Sequence, residues 1–349
     1  MFFAVSEMFF AVMRRKMYQK TITEREAGQR FDKYLHKLLP EAGSGFLYKM
    51  LRKKNIVLNE KKADGSEKIA CGDVVSVYFA EATLRKFMGN GKTGGQNMPD
   101  PAFPALSEAA FPDITVLYEN AHILLADKPA GVLTQKAARK DVSLNEWLVD
   151  YLLQKKQISP EELRTFRPSA CNRLDRNTSG IVLCAKSVPG AQMLSEALKT
   201  RSLHKFYRLY VKGSLTEEQT IEGFLLKDES SNKVRIYADQ RSDASLIRTR
   251  YIPIRQEPDK TLLEVELITG KTHQIRAHLA SIGHPLLGDY KYGDRSFNEQ
   301  YHKKFRVEHQ LLHAYKVVFP PLSEPFEDIS GSVFCAPVPE IFDRVRTKL

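Results

Sequence analysis

The sequence predicts an α+β protein in which a mixed, largely antiparallel sheet flanked by helices follows a small N-terminal α/β unit. In "TLLEVELIT", Leu263, Val265 and Leu267 alternate with Glu264 and Glu266, so one face of the strand is apolar and the other is expected to face solvent. Several strands of this kind, joined by short connections and accompanied by helices with one apolar stripe, indicate an antiparallel sheet with helices packed on it.

The chain of 349 residues is long enough for two domains. We expect four consecutive segments, namely a disordered or misannotated start, a small basic unit, a Gly- and Pro-rich linker and a large domain, at residues 1–17, 18–80, 81–112 and 113–340. The start repeats "MFFAV" and has Met13 and Met17 downstream, which suggests that translation begins later. The linker contains "GKT" at 91–93, but the upstream glycine of a phosphate-binding loop is missing, so we expect no nucleotide cofactor.

The small unit begins with two predicted helices. "QRFDKYLHKLLP" places Phe31, Leu35, Leu38 and Leu39 on one helical face, and Pro40 ends the helix. "GFLYKMLRKK" predicts a second, shorter helix, "NIVLNEKKADG" a strand and a turn, and "GDVVSVYF" a closing strand.

Positive charge is concentrated in this unit. Residues 14–54 hold twelve Lys and Arg against four acidic residues, which accounts for eight of the formal net charge of +11. A solvated polar face is one explanation; an RNA-binding surface is the one we favour, because the charges border both helices of a compact unit. The candidate RNA-binding residues of this unit are Arg30, Lys33, Lys49, Arg52, Lys53 and Lys54.

The large domain alternates predicted strands and helices. The expected strands are "ITVLYE", "HILLADKP", "HKFYRLYVKG", "ASLIRTRYIPIR" and "TLLEVELIT". The expected helices are "SLNEWLVDYLLQKK", "PGAQMLSEALKT" and one that begins near Thr272, with Ile275 and Leu279 on its buried stripe.

Other features restrict the class of protein. The four cysteines lie far apart without a CxxC pair, which favours a reducing, cytoplasmic location over a disulfide framework or a zinc site. No apolar run approaches the roughly 20 residues of a membrane span, so no membrane partner is expected. His273, His278 and His284 are spaced by five and six, unlike the i, i+4 pair of helical zinc sites, and we expect no metal.

Three polar stretches lie at the ends of predicted elements, where sites are usually built. Asp175 stands between Arg173 and Arg176 just before an apolar strand, Tyr207 shares a strand face with Leu209, and the helix near Thr272 follows "TGKTHQ". Taken singly, Asp175 is a structural ion pair or an acid kept ionised for chemistry, and Tyr207 is half-core or functional.

Taken together, these stretches resemble a known family. "NRLDRNTSGIVLCAKS", "KFYRLYVKG" and "LEVELITGKTHQIRAHLASIGHPLLGD", preceded by "LLADKPAGVLT", are similar in order and content to the motifs of RluA-type RNA pseudouridine synthases. The N-terminal unit resembles the small RNA-binding domain named after ribosomal protein S-four. The resemblance covers about residues 18–80 and 113–340 and implies the pseudouridine synthase catalytic fold.

The resemblance implies a function and a set of roles. Asp175 would be the catalytic aspartate that attacks or deprotonates the ribose of a target uridine, and Lys271 the cation that keeps it ionised. Tyr207 would stack on the flipped base and take the proton from the carbon that forms the new bond. Arg173 would fill the gap left in the RNA, and Ile275 would add an apolar wall. The isomerisation consumes nothing, so no cofactor is expected.

The substrate implied by the front domain is structured RNA, most of all large-subunit ribosomal RNA, and the protein is expected to act as a monomer. Transfer RNA is the alternative substrate, and a catalytically silent RNA-binding or ribosome-assembly factor is the alternative function. A sugar hydrolase would require a second carboxylate, which these motifs lack. The chain departs from the usual family pattern at Asn172, Gln135 and Lys271, where histidine, histidine and arginine are more common.

Overall fold

The computed structural model describes residues 18–89, 111, 113–138, 141–228 and 233–346. The expected disordered start and the "GKT" sequence lie outside the described residues, as does most of the expected linker. Within the described ranges, no helix is long and apolar enough to cross a membrane.

The N-terminal unit is a four-stranded antiparallel sheet with two helices. The strands are β1 (Tyr18–Thr21), β2 (Ile56–Leu58), β3 (Lys61–Lys62) and β4 (Val74–Val77), in the order β1-β4-β2-β3. The helices α1 (Phe31–Leu38) and α2 (Ser44–Arg52) lie where the apolar spacing predicted them. Phe31, Leu35, Leu38 and Leu39 are buried together, which confirms the predicted apolar face of α1.

Helix α3 (Glu81–Phe87) follows directly, within the segment expected to be a linker. Its Leu84 is buried in the N-terminal core, and Phe87 stacks against Phe46 at a centroid distance of 4.5 Å. The apolar residues of this helix therefore belong to the N-terminal core.

The large domain is built on an eleven-stranded sheet, which confirms the predicted α+β class. The strands are β5 (Thr115–Glu119), β6 (Ile123–Lys128), β7 (Ser169–Ala170), β8 (Ser179–Ala185), β9 (His204–Lys212), β10 (Gln219–Asp228), β11 (Lys233–Tyr237), β12 (Ser245–Gln256), β13 (Lys260–Leu267), β14 (Leu312–Val318) and β15 (Val333–Cys335). The main path runs β11-β10-β12-β13-β9-β14-β8-β6-β5, with β15 on β14 and β7 on β8. Only the β14–β8 pair among these is parallel, so the sheet is mixed and largely antiparallel.

Helices cover the sheet at several places. They are α4 (Leu144–Gln154), α5 (Val188–Lys199), α6 (Gln274–Ser281), α7 (Arg295–Phe305) and α8 (Ile341–Arg344), with single 3₁₀ turns at Glu162–Arg164 and Glu327–Ile329. The largest apolar cluster joins α4 and α6 to one sheet face, and a second cluster joins α5 to the other face. The predicted alternation in β13 is confirmed for residues 263–266, since Leu263 and Val265 are buried while the Glu264 and Glu266 side chains keep 14% and 13% of their surface exposed.

The N-terminal unit contacts the large domain through Glu26, which is fully buried. The Glu26 carboxylate accepts a hydrogen bond from the Thr165 hydroxyl and pairs with the Lys20 ammonium at 2.8 Å. The Val188 amide donates to the Arg25 carbonyl at 2.8 Å, next to this pair. A buried, paired carboxylate of this kind holds the two parts of the chain in register.

Candidate active site

A cavity of about 790 Å³ opens where the turn before β8, the start of β9 and the N-terminal end of α6 meet. The sheet order β9-β14-β8 brings the first two together. Ala314 of β14 lies opposite Tyr207, so a small side chain separates the tyrosine from the Asp175 turn. All three polar stretches singled out from the sequence line this one cavity.

Asp175 is held by an arginine. The Arg276 guanidinium donates from Nη1 to Asp175 Oδ2 at 2.8 Å and, through Nε and Nη2, makes two further bonds of 2.7 and 2.9 Å to Asp289. Asp289 is fully buried, and Arg276 nearly so, whereas the side chain of Asp175 remains 27% exposed to the cavity. The fork geometry of the guanidinium thus fixes one oxygen of Asp175 and leaves the carboxylate accessible.

The protonation states of this array follow from burial and pairing. Burial by itself would lower the pKa of Arg276, but hydrogen bonds and charge from Asp289 and Asp175 raise that pKa above its usual range. Burial would raise the pKa of Asp289, and the Arg276 partner more than offsets this and lowers it. Arg276 and Asp289 therefore form a permanent ion pair at neutral pH, against which Asp175 is aligned.

A second neighbour of Asp175 is His273, whose Nε2 lies 3.8 Å from Oδ2. Burial lowers the pKa of His273, with the charges of Arg276 and Lys291 acting in the same direction. Its Nδ1 is hydrogen-bonded to the Tyr292 hydroxyl at 2.9 Å. The ring and the Arg276 guanidinium therefore both lie near Oδ2 of Asp175.

The backbone of the Asp175 turn is tied down from below. The Thr134 hydroxyl donates to the Leu174 carbonyl at 2.9 Å, and the fully buried Lys128 ammonium donates to the Arg176 carbonyl at 3.1 Å. Asn172, one of the departures from the family pattern, accepts the Leu183 amide at 2.7 Å through Oδ1. A turn with this many fixed points holds its aspartate in one place.

Gly180 is the glycine of the "TSG" sequence that follows the Asp175 turn, and its position requires a residue without a side chain. It has φ +109°, and a Cβ added there would lie 2.2 Å from the Ala314 carbonyl oxygen. Only glycine allows β8 to begin this close to β14. The close approach sets the distance between the Asp175 turn and Tyr207.

Tyr207 lies on the floor of the cavity and is 5% exposed. Burial, and then the negative charge of Asp175, raise the pKa of its phenol well above the usual range. The side chain is therefore a neutral phenol at physiological pH. Its partner on the same strand face, Lys205, also lines the cavity, and burial lowers the pKa of that lysine.

The cavity is strongly positive. Its described lining contains one carboxylate, Asp175, and eight basic side chains: Arg173, Arg176, Arg201, Lys205, Lys227, Lys271, Arg276 and Lys291. Even with the Arg276 charge shared between Asp175 and Asp289, the other seven basic side chains give the lining a net positive charge. Such a lining suits a phosphate-bearing substrate.

The sequence assigned the cation at Asp175 to Lys271, but the structure gives this contact to Arg276. Lys271 is exposed in the loop before α6, and its backbone amide donates to Gln274 Oε1 at 3.1 Å. Arg276 follows five residues later, within α6, on the side that faces the Asp175 turn. Spacing along the chain could not distinguish the two, because the helix start decides which side chain reaches the carboxylate.

The other predicted site residues are brought to the same place. Arg173 is exposed at the rim, and Ile275 is buried in the wall next to Asp175 and Tyr207. Arg276 and Asp289 complete this array and were not among the site residues predicted from the sequence. The available signal was that they are the only Arg, Lys, Asp or Glu residues in the quoted stretch "HQIRAHLASIGHPLLGD".

The candidate RNA-binding residues of the N-terminal unit are all exposed, and we call them the basic surface: Arg30, Lys33, Lys49, Arg52, Lys53 and Lys54. Arg30 pairs with Asp32, through Nη2 at 3.0 Å. For the other five, the described part of the chain shows no ion pair. Their ammonium and guanidinium groups are exposed and accessible to phosphate.

The histidines considered as metal ligands have separate partners. His278 Nδ1 bonds the Thr249 hydroxyl at 2.9 Å, and His284 Nδ1 bonds the Lys212 carbonyl at 3.0 Å. Among the residues that the structure describes, no group of three His, Cys, Asp or Glu side chains has an arrangement suited to a metal ion.

Comparison with known proteins connects this geometry to a family. The sequence model of RNA pseudouridylate synthases matches residues 122–281, the segment that contains Asp175, Tyr207 and Arg276. Ribosomal large subunit pseudouridine synthase C of Vibrio cholerae is 30% identical over 304 residues, which cover 85% of this chain and 87% of that protein. The protein of the same description from Escherichia coli is 30% identical and covers 80% of this chain and 81% of its own length.

A solved structure has the same fold. Human RNA Pseudouridylate Synthase Domain Containing 4 superposes with a TM-score of 0.53 at 19% identity, covering 65% of this chain and 90% of the human one. At this identity the likeness supports the fold of the large domain.

Proposed function

This chain belongs to the RNA pseudouridylate synthase family and is therefore an isomerase, and from that premise we propose that it converts specific uridines of large-subunit ribosomal RNA, with Asp175 as its catalytic carboxylate. The names of the relatives support the ribosomal substrate. The observation that carries the catalytic assignment is the Arg276–Asp175 contact of 2.8 Å at the base of a positive cavity that also holds Tyr207.

The reaction requires a uridine that has left its stack. Extrusion costs a few kcal/mol and costs least in unpaired RNA, so loops are the expected targets. With the ribose next to Asp175, the carboxylate attacks or deprotonates the sugar, the bond to nitrogen breaks, and the base turns over before carbon bonds to the sugar. Arg276 holds the carboxylate in one orientation, because its own position is fixed by the buried Asp289.

Tyr207 is proposed to stack on the turning base. Its raised pKa bears on the second role that the resemblance implied, proton removal from carbon. A phenol that holds its own proton can accept another only while it passes the first one on, so that role requires a second acceptor. Stacking requires a ring face turned toward the cavity, and the place of Tyr207 in the cavity lining supports this role.

The basic surface and the cavity rim are proposed to bind the RNA backbone. Arg173 is placed to fill the gap left by the extruded base, and Ile275 gives the base an apolar wall. Lys271, exposed at the cavity mouth, is assigned a phosphate contact. The N-terminal unit is proposed to be an S-four-type RNA-binding domain, which the two helices and exposed lysines support.

We propose that the protein acts as a cytoplasmic monomer without a cofactor. Four unpaired cysteines, Cys71, Cys171, Cys184 and Cys335, support a reducing compartment. An isomerisation leaves the redox state and composition of the RNA unchanged, which is why no cofactor is required.

The test is to map pseudouridines across all RNA of cells with and without the gene, and after re-expression of Asp175→Asn. We expect sites in large-subunit ribosomal RNA to disappear on deletion and to return with the wild type only. Loss of sites in transfer RNA would move the substrate to that class. Full recovery with Asp175→Asn would refute the catalytic assignment, and unchanged maps throughout would favour a silent RNA-binding factor.

A further inference from the structure

A second cavity of about 480 Å³ adjoins the catalytic one. Asn177 and Gln310 line both, so the two openings share a rim beyond the Asp175 turn. This second cavity lies at the start of β14 and below the C-terminal segment. None of its other residues has a role in the chemistry described above.

The second cavity has one polar and one apolar wall. Asp127, Ser179, His309 and His313 form the more buried part of the polar wall, and the exposed Asp113, Thr115 and Glu340 complete it. The apolar wall comes from the last described segment of the chain and consists of Pro337, Val338, Pro339, Ile341 and Phe342. A planar ligand with an apolar face and a hydrogen-bonding edge fits this division.

Asp127 is the distinctive group in the polar wall. It is half-buried, and the described residues provide its carboxylate with no hydrogen bond and no ion pair. Burial raises its pKa to about 6, so it is mainly ionised at neutral pH and can only accept hydrogen bonds. Burying a carboxylate without a hydrogen-bond donor costs folding free energy, and a ligand that supplies the donors would offset that cost.

The histidines add to the recognition edge. His309 Nδ1 is buried and has no hydrogen-bond partner among the described residues. His313 is held by the Ser179 hydroxyl at 2.8 Å, and burial lowers its pKa to about 4, so its ring is neutral. The wall therefore carries the unpartnered Asp127 carboxylate beside two imidazole rings, in a cavity whose lining is acidic overall.

We propose that this second cavity binds an unpaired nucleobase of the same RNA strand, and that this base carries an exocyclic amino group. The inference rests on the proposed function, since the shared rim at Asn177 and Gln310 leads from the catalytic uridine to this site. Adenine, cytosine and guanine offer amino donors to an anionic acceptor, whereas uracil offers only its N3–H, which lies between two carbonyl oxygens that repel a carboxylate. The apolar wall would cover the face of the base.

The first experiment locates the occupant by crosslinking. Val338, which is 42% exposed in the apolar wall, is replaced by the photoreactive residue p-benzoylphenylalanine in the full-length protein. The protein is irradiated with an RNA transcript that spans a modified uridine and its loop. We expect a crosslink to one unpaired adenine, cytosine or guanine within a few nucleotides of that uridine. Crosslinks only to duplex nucleotides, to a uridine, or to the protein's own chain would overturn the inference.

The second experiment measures the contact itself. Asp127→Asn should raise KM about tenfold and leave kcat within about twofold, because the loss of a charge-assisted hydrogen bond affects binding rather than chemistry. Replacing the crosslinked base by uridine should raise KM similarly, and the two changes combined should cost no more than either alone. Additive costs would show that Asp127 and that base do not meet.

Asp150→Asn is the matched control. Asp150 is likewise half-buried with a pKa raised by burial, but it lies on α4, away from both cavities. Its substitution should leave KM unchanged. If the wild-type protein modifies the transcript and Asp127→Asn has an unchanged KM, the second site is refuted and the proposed function stands. If the wild-type protein modifies no ribosomal transcript, the proposed substrate is refuted.

Discussion

The basic surface and the catalytic cavity both carry an excess of positive charge, but they hold it in different ways. On the basic surface, all six side chains are exposed, and five of them have no carboxylate partner in the described structure. In the cavity, Arg276 is 7% exposed and is shared between two carboxylates at bonding distances below 3 Å.

The exposed charges of the basic surface should contribute to RNA affinity, and the buried arginine of the cavity should contribute to the reaction rate. Hydrated, mobile ammonium groups attract phosphate over a long range, and salt screens that attraction. A desolvated guanidinium held by a buried aspartate acts on one atom at one distance and responds little to salt. Substitutions in the two regions should therefore change different measured quantities.

The largest effect is expected at Asp175. Asp175→Asn keeps the shape and removes the charge, so isomerisation of a target RNA should fall at least about 1,000-fold. Affinity for that RNA should stay within a few fold, because eight basic residues still line the cavity. Single-turnover rates and filter binding of the same variant test both statements, and a rate near wild type would contradict the assignment.

The next effect separates the cation predicted from the sequence from the one found in the structure. Arg276→Lys keeps the charge opposite Asp289 but loses the fork, so kcat should fall about 100-fold through misplacement of Asp175. Lys271→Gln removes an exposed charge and should change kcat less than threefold while weakening RNA binding. If Lys271→Gln lowered kcat more than Arg276→Lys did, the ranking of the two cations would be reversed.

Removing charge from the basic surface should affect binding only. The combined variant Lys49→Gln, Arg52→Gln, Lys53→Gln and Lys54→Gln should reduce the slope of log affinity against log salt by as much as about 3 for unpaired RNA. The rate at saturating RNA should not change. The control removes the same charge from exposed lysines elsewhere, namely Lys155, Lys156, Lys303 and Lys304. Equal slopes for the two variants would mean that the basic surface has no special part in binding.

The smallest effect concerns Glu26, at the contact between the N-terminal unit and the large domain. Glu26→Gln should lower the free energy of unfolding by about 2 kcal/mol at pH 7, because a buried charged acceptor is lost. Burial opposes ionisation of Glu26, but Lys20 and Thr165 more than offset it, so the pKa is below the usual 4.5. The stabilisation is therefore present at neutral pH and disappears as pH falls through that lowered value. Urea denaturation at pH 7 and below pH 4 should show the gap closing, and a gap independent of pH would contradict the ionic role.

Much of the fold was predictable because local patterns determined it. The spacing of Phe31, Leu35 and Leu38 placed α1, and the alternation of Leu263 with Glu264 identified β13 as a strand with one apolar and one polar face. Strand β14 and helix α7 were not predicted. In β14 both faces are covered, so "LHAYKVV" shows no alternation, and α7 has few apolar residues to mark its stripe.

The sequence by itself determined the family, the catalytic candidates Asp175 and Tyr207 and the location of the basic surface, because each depends on residue types in a fixed order. Only the tertiary structure decided that Arg276 rather than Lys271 contacts Asp175, that Asp289 anchors this arginine, and that Tyr207 is buried at the floor of the same cavity. These facts depend on which side chains share a buried space, and that is set by the start of α6 and by the close approach of β8 to β14 at Gly180. Distances and desolvation arise only when segments far apart in sequence pack together.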